Sequence, residues 1–214
     1  MTKNFLWEGA PGPGPVVVLA HGAGAPMDSP FMAAFAQGLA EAGIPTARFE
    51  FPYMGRRRAE GTKRPPDRAP VLIDSWRAVI STLEAQGVDR QAMVIGGKSM
   101  GGRIASMVAD EEGVLGLVCL GYPFHPPGRP EKTRVEHLAA LSTPGLIVQG
   151  TRDSLGSKSD VAGYKLAPTI EVRWMEDGDH SFKPRKASGR TEEDTWREGI
   201  SLVAEWVKNR TKSK

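Results

Sequence analysis

Residues 92–110 read AMVIGGKSMGGRIASMVAD, and this pattern carries most of the information about the architecture. It predicts a buried strand over Ala92–Ile95 and a helix over Met100–Asp110, with G-x-S-x-G between them at Gly97–Gly101. A serine in this pattern is typical of a nucleophile elbow, whose small neighbours let the strand and helix backbones approach each other. The hydroxyl of Ser99 is then expected above the sheet edge, beside the amino end of the helix, where free N–H groups favour negative charge.

Two other interpretations of this turn are open to test. A glycine-rich turn whose serine merely caps the helix would look the same in sequence. A phosphate-binding P-loop would also end in Gly97-Lys98-Ser99, but it needs a glycine five positions before Gly97, where this chain has Ala92 inside the predicted strand. The loop that would wrap a phosphate is therefore missing.

On both sides of this stretch, short apolar runs alternate with longer segments of helical periodicity. The predicted strands are Val16–Ala20, Thr46–Phe51, Val114–Leu120, Leu146–Gln149 and Ile170–Met175, and the predicted helices are Phe31–Ala42, Val71–Gln86 and Glu193–Lys208. This alternation predicts an α/β fold, with a mostly parallel central sheet and helices on both faces. Residues 52–69 show no apolar periodicity, and we expect either a functional loop or an element that the pattern does not reveal.

Length and composition limit the class of protein. A chain of 214 residues with 40% hydrophobic and 25% charged residues predicts one domain, residues 1–214, and excludes a disordered chain or a coiled coil. The net charge of +3 comes from basic residues between Arg56 and Arg68 and in the tail, and we expect no nucleic-acid partner because no recognisable module accompanies them. The single cysteine, Cys119, lies in an apolar run and predicts a core thiol. Without a leader or membrane span in the pattern, a cytoplasmic protein is expected, and its oligomeric state is not predicted.

A serine nucleophile needs a base, and the base needs an acid that orients it. Asp153 follows the apolar strand Leu146–Gln149, and His180 lies in the turn-rich loop after the strand Ile170–Met175. The chain order Ser99, Asp153, His180 is the one expected of α/β-hydrolases. These three residues are the predicted catalytic set.

The other histidines and aspartates have different expected roles. His137 falls in a predicted short helix over Arg134–Leu138, and His125 is expected to line a pocket without transferring protons. Among the acids, Asp160 is expected at a helix start and Asp177 is a weaker alternative than Asp153.

The first strand is followed by His21-Gly22-Ala23-Gly24, where a donor to the oxyanion is expected. We assign the donors to the backbone N–H groups of Ala23 or Gly24 and of Met100. His21 itself is expected to anchor this loop by hydrogen bonds.

Together these features resemble the α/β-hydrolase superfamily over nearly the whole chain. A closer resemblance is to a compact, cap-less subfamily that includes a testis-expressed hydrolase-like protein and a hydrolase-like subunit of the nonspecific-lethal histone acetyltransferase complex. The stretches that carry it are HGAGAPMDSPFM (21–32), FPYMGR (51–56), GGKSMGGR (96–103), GYPFHPPGRPEK (121–132), GTRD (150–153) and GDHSF (178–182). The resemblance implies a catalytic triad of Ser99, Asp153 and His180 but does not imply a known substrate. Some relatives serve as parts of large assemblies.

The interval Gly121–Lys132 is too short for a cap domain, which predicts an open site. Arg56 is expected at the edge of this site. The expected walls are aromatic, methionine and histidine side chains of two loops, namely Tyr53, Met54, Tyr122, Phe124 and His125. An open site suits a small ester, thioester or lactone, and the basic loop 56–68 is a candidate for steering an anionic acyl substrate.

The functional prediction is a serine hydrolase that cleaves a carboxylic ester or related acyl bond through an acyl-enzyme, with no metal or organic cofactor. The alternative is a catalytically silent scaffold on the same fold, because a fold alone does not decide function.

Overall fold

A computed structural model of the protein describes residues 5–211. The strands are β1 Leu6–Glu8, β2 Val16–Ala20, β3 Thr46–Phe49, β4 Met93–Lys98, β5 Gly116–Leu120, β6 Gly145–Gly150 and β7 Ile170–Met175. The α-helices are α1 Pro30–Glu41, α2 Pro52–Glu60, α3 Ala69–Ala85, α4 Met100–Ser106, α5 Ala109–Glu112, α6 Lys158–Val161 and α7 Glu192–Thr211. Short 3-10 helices cover Arg90–Ala92, Glu136–Ala140 and Lys186–Ser188.

All seven strands form one sheet in the order β1-β3-β2-β4-β5-β6-β7. Every neighbouring pair is parallel except β1 with β3. The predicted α/β fold with a mostly parallel sheet is therefore confirmed. Because β2 and β4 are neighbours, the loop after β2 and the turn after β4 meet at the carboxyl edge of the sheet. The sequence pattern missed β1, which has only three residues, none of them buried.

The sheet separates two hydrophobic layers, as successive side chains of a strand point to opposite faces. Val16, Val18 and Ala20 of β2 pack with α3 and α4, whereas Val17 and Leu19 pack with α1 and α7. All five residues of β2 are buried, which explains its continuous apolar sequence. The predicted core position of Cys119 is confirmed, and burial raises the pKa of its thiol.

Of the two alternatives for residues 52–69, the first half is the element that the pattern does not reveal, since it forms α2. Pro52 occupies the first turn of this helix, where a missing N–H costs nothing, and Gly61 ends it with a φ of 67°. Only Tyr53 and Met54 of the nine residues are buried. A helix with one buried contact pair has no repeating apolar stripe, so periodicity alone does not reveal it.

The predicted helix Met100–Asp110 is two helices, α4 and α5, separated at Met107 and Val108. The segment between β5 and β6 contains one short 3-10 helix over Glu136–Ala140, so the described chain carries no cap domain there. Within residues 5–211, no helix is both long enough and apolar enough to cross a membrane.

Candidate active site

Ser99 lies at a sharp turn between β4 and α4. Its φ of 52° is in the left-handed region, which a serine seldom adopts and which surrounding contacts must hold in place. The glycines of the motif make the turn possible: a Cβ added to Gly97 would lie 2.0 Å from the carbonyl oxygen of Ala20, and one added to Gly101 would lie 2.3 Å from it. The side chain of Ser99 makes no capping hydrogen bond to α4. Ser99 therefore occupies the N-cap position of α4 without capping the helix through its hydroxyl group.

The structure brings Ser99, His180 and Asp153 together, although 81 residues of chain separate the first two. Nε2 of His180 is 2.9 Å from Oγ of Ser99, and Nδ1 of His180 is 2.7 Å from Oδ2 of Asp153. These distances suit an imidazole that donates Nδ1–H to the carboxylate and accepts the hydroxyl hydrogen of the serine at Nε2. Asp153 is fully buried, and His180 is about one quarter exposed (26%).

Asp153 is held by two further hydrogen bonds. The backbone N–H of Leu155 donates to its Oδ1 at 2.8 Å, and the side-chain amide of Gln149 donates to its Oδ2 at 2.8 Å. Gln149 is itself fully buried and accepts a hydrogen bond from the N–H of Tyr122 at 2.7 Å. Sequence reasoning missed this positioning residue; the available signal was one glutamine at the end of an otherwise apolar strand.

Lys98 is a second residue that sequence reasoning did not use. Its ammonium group donates to the backbone carbonyl of His180 and lies 5.4 Å from the centre of the Phe31 ring. Burial lowers the pKa of Lys98 to about 8, although the carboxylates of Asp153 and Asp179 oppose the shift. Lys98 thus ties the elbow directly to the loop that carries the histidine.

The loop after β2 lies against the elbow, since a Cβ added to Gly22 would be 3.7 Å from Cβ of Ser99. The hydroxyl of Tyr53 donates to the carbonyls of Gly22 at 3.3 Å and Ala23 at 2.9 Å, and Arg57 donates to the carbonyl of Gly24 at 3.2 Å. With these carbonyls held from α2, the N–H groups of the loop are positioned by contacts that are independent of any substrate.

His21 is buried at the start of this loop, where burial lowers its pKa. Its Nε2 accepts a hydrogen bond from the backbone N–H of Phe51 at 3.2 Å, and its Nδ1 lies 2.7 Å from the carbonyl of Gly22. Both partners require a neutral ring protonated on Nδ1. The expected anchoring by hydrogen bonds is what the structure shows.

Two clefts adjoin Ser99. The first, of about 490 Å³, is mainly apolar and also reaches His180 and Lys98; its hydrophobic walls include Phe31, Met32 and Trp196. The second, of about 340 Å³, also reaches Ser99 and follows α4, and it shares only Ala23 and Ser99 with the first. It is lined by Met100, Ile104 and Leu155 together with the arginines Arg103 and Arg134. A molecule bound at Ser99 can therefore extend in two directions.

The predicted pocket walls are wrong. Five of the six side chains lie in the protein interior and line neither cleft: Tyr53, Met54, Tyr122, Phe124 and His125. Tyr53 and Tyr122 instead brace neighbouring loops through their hydroxyl groups, the latter by donating to the carbonyl of Arg134 at 2.9 Å. Loop residues near an elbow were expected to face substrate, but aromatic side chains gain more by completing the core.

Arg56 also lies outside the two clefts. It forms an ion pair with Asp67 at 2.5 Å, and its neighbours in the basic segment are paired as well, Arg58 with Glu50 at 2.5 Å and Arg64 with Glu60. Three of the six basic residues in this candidate steering segment are thus neutralised locally.

The alternative histidines and acids have other contacts. His137 lies 2.8 Å from Oγ of Ser106, and His125 lies 2.9 Å from the carbonyl of Pro126. Asp160 forms a capping box with Ser157 at the start of α6, as expected of a helix-start residue. Asp177 pairs with Arg185 at 2.6 Å and shapes the histidine loop. In the described part of the chain, no three His, Cys, Asp or Glu side chains are grouped as metal ligands would be.

Residues 13–208 match the family model described as an alpha/beta hydrolase domain. Similar solved structures include an alpha-beta serine hydrolase homologue from Coxiella burnetii, with a TM-score of 0.68 and 20% identity over 94% of this chain and 89% of that one. For a serine hydrolase without a lid from Xanthomonas campestris, the TM-score is 0.65 and the identity 17%, over 99% of this chain and 88% of that one. For a dienelactone hydrolase from Anabaena variabilis, the TM-score is 0.69 and the identity 18%, over 96% of this chain and 90% of that one.

Proposed function

The chain belongs to the alpha/beta hydrolase domain family, and from this premise we propose that it is a serine hydrolase that cleaves a carboxylic ester or a related acyl bond. One observation carries the proposal: Nε2 of His180 lies 2.9 Å from Oγ of Ser99 while Nδ1 lies 2.7 Å from the buried carboxylate of Asp153. The names of the similar structures, a serine hydrolase without a lid and a dienelactone hydrolase among them, agree with this class.

In the proposed reaction, Oγ of Ser99 attacks the carbonyl carbon of the ester while Nε2 of His180 takes the hydroxyl proton. The tetrahedral intermediate collapses when the C–O bond to the leaving group breaks, and His180 returns the proton to that oxygen. Water then attacks the acyl-enzyme, again giving its proton to His180, and the carboxylic acid leaves as Ser99 regains its hydrogen. Asp153 keeps the imidazole in the required tautomer and stabilises its positive charge.

The negative charge of each tetrahedral intermediate needs hydrogen-bond donors. We assign this role to the backbone N–H of Met100, in the first turn of α4, and to that of Ala23 or Gly24. The contact of Gly22 with Ser99 supports the placement, because it sets this loop beside the nucleophile. Removal of one such donor commonly lowers turnover by about 100-fold to 1,000-fold.

The test is covalent labelling with a fluorophosphonate probe, which reacts with an activated serine. Wild-type protein is expected to take up one label at Ser99, confirmed by mass spectrometry of the labelled peptide, and Ser99→Ala is expected to take up none. Ser201→Ala, at an exposed serine of α7, is the matched control and should label like wild type. Turnover of short acyl esters, thioesters and lactones should fall by roughly 10⁴-fold in Asp153→Asn.

A wild-type protein that labels no better than Ser99→Ala would overturn the proposal. Absence of turnover with every acyl compound, together with a stable protein partner in a pull-down, would instead support the scaffold alternative.

A further inference from the structure

The second cleft beside Ser99 contains two arginine side chains. Arg103 lies one helical turn after Ser99, its backbone N–H bonded to the carbonyl of Ser99 at 3.0 Å, and Arg134 enters from the segment between β5 and β6. Both line the cleft of about 340 Å³ that opens at the nucleophile, and both are half-buried.

Neither guanidinium group has a carboxylate partner within the described residues. Nε of Arg103 is buried without any hydrogen-bond partner there. This contrasts with the basic segment 56–68, where Arg56, Arg58 and Arg64 each form an ion pair. A partly buried cationic group is costly when no anion lies beside it, so two arginines without carboxylate partners at one cleft favour a bound anion there.

The two charges also act on each other. Burial lowers the pKa of Arg134, and the positive charge of Arg103 lowers it further. Arg103 has the same effect on neighbouring His137, whose pKa is lowered first by burial. An anion placed between the two guanidinium groups would offset this repulsion and accept hydrogen bonds from both.

One acidic residue, Asp67, also lines this cleft. Its Oδ1 accepts the 2.5 Å ion pair from Arg56, while its Oδ2 is buried without a partner among the described residues. Arg56 therefore offsets the one negative charge on the wall, and the two arginines remain in excess.

We propose that Arg103 and Arg134 bind a carboxylate or phosphate group on the ester that Ser99 attacks. This rests on the proposed function and deepens it by naming the substrate class: an ester with one anionic part, held in the arginine cleft, and one apolar part, held in the cleft beside Phe31 and Trp196. The anion is a recognition group and takes no part in bond breaking.

The test compares three esters of similar size. Neutral 4-nitrophenyl butyrate is the reference, mono-4-nitrophenyl glutarate carries a carboxylate on the acyl part, and 4-carboxyphenyl butyrate carries one on the leaving group. One of the two anionic esters should be preferred over the neutral one by about tenfold or more in kcat/KM, as expected for charge-assisted hydrogen bonds. Which ester is preferred identifies the part that lies in the arginine cleft.

Arg103→Gln and Arg134→Gln should each reduce this preference, and the double variant should bring it close to equality. Arg129→Gln is the matched control, since Arg129 lies in the same segment as Arg134 but is exposed and lines neither cleft. Circular dichroism and a thermal melt establish that each variant is folded.

A binding experiment separates this inference from the proposed function. Calorimetry with Ser99→Ala should show glutarate or inorganic phosphate binding that Arg103→Gln and Arg134→Gln weaken by about tenfold or more and Arg129→Gln does not. Such binding would support the anion site even if the fluorophosphonate probe failed to label the protein. Labelling of Ser99 without any anionic preference, or with a preference that the arginine variants retain, would overturn the anion site and leave the hydrolase proposal standing.

Discussion

Lys98 connects the nucleophile to the histidine through one buried ammonium group. It precedes Ser99 directly and donates to the carbonyl of His180, so the conformations of the elbow and of the histidine loop depend on each other. Gln149 plays a comparable part for the acid, since it is buried and donates to Asp153. Both act on the site through other residues and are positioning residues.

Lys98→Met is expected to change how stability depends on pH. Burial lowers the pKa of Lys98 to about 8 in the folded protein, whereas a lysine in an unfolded chain titrates near 10.5. Between these values the unfolded chain binds more protons at this site, so the contribution of Lys98 to the free energy of unfolding rises with pH. Urea unfolding at pH 7, 8, 9 and 10 should therefore show wild type gaining stability relative to Lys98→Met above pH 8.

The control for removal of one positive charge is Lys165→Met, at an exposed lysine. A stability difference between wild type and Lys98→Met that stays constant from pH 7 to pH 10 would contradict the assignment of a lowered pKa to this group.

Gln149→Leu is expected to lower the free energy of unfolding by about 1–3 kcal/mol, because it leaves a buried carboxylate oxygen and the N–H of Tyr122 short of partners. The same change should slow the fluorophosphonate reaction at Ser99, since Asp153 loses one of the bonds that orient it. Denaturant titration and labelling rates measure the two effects. Gln91→Leu, at an exposed glutamine, is the comparison, and equal behaviour of the two variants would show that Gln149 has no positioning role.

At the scale of elements, the elbow is a contact between three backbones. The end of β4 and the start of α4 both lie against the end of β2, and this is why the motif needs glycine on each side of the serine. A side chain at either glycine would collide with the backbone of β2, so it would disturb the packing of β2, β4 and α4 together.

Gly101→Ala is expected to destabilise the fold by about 1–3 kcal/mol or more, because its Cβ would lie 2.3 Å from the carbonyl oxygen of Ala20 and the backbone must move. It should also abolish rapid labelling of Ser99. Gly55→Ala is the matched control: this exposed glycine lies inside α2, and apart from its chain neighbours and the backbone of its own helix, no described atom is within 4 Å of the added Cβ. That variant should gain about 0.5–1 kcal/mol, since alanine favours a helix interior. Thermal melts compare the two, and equal stabilities would refute the close approach.

At the scale of the whole molecule, both hydrophobic layers share one sheet. Trp76 of α3 is buried in one layer, and Trp206 of α7 is buried in the other. Loss of either layer exposes the apolar strands between them, so we expect the two layers to unfold together as one domain.

Urea unfolding followed by tryptophan fluorescence and by far-UV circular dichroism should therefore give coincident transitions, and Ser99 labelling should disappear over the same urea range. Replacing Trp196 and Trp206 with Phe leaves tryptophans only in the first layer, and replacing Trp7, Trp76 and Trp174 with Phe leaves them only in the second. Two separate midpoints in these variants would show that the layers are independent units and would contradict a single domain.

Much of the fold and part of the site followed from local patterns. The strands β2 and β7 were predicted to the residue, because the fully buried β2 is a continuous apolar run and the half-buried β7 alternates apolar with charged residues. Ser99, Asp153 and His180 were identified because each follows a strand and their order matches a known scheme. In contrast, α2 was missed and the predicted pocket walls were wrong, since one buried contact pair leaves no period and an aromatic side chain on a loop can face either the core or the solvent.

The sequence alone was sufficient to propose the chemistry, namely which side chain attacks and which accepts the proton, and to predict at which edge of the sheet these side chains meet. Only the tertiary structure revealed what holds them and what they face, namely Gln149 behind the acid, Lys98 beneath the histidine, and the unpaired Arg103 and Arg134 on one side of the serine. The physical reason is the separation along the chain between the groups that interact. Strand and helix periods arise from neighbours within a few residues, whereas the pairing or isolation of a charge depends on groups distant in the chain that only folding brings within a few ångströms.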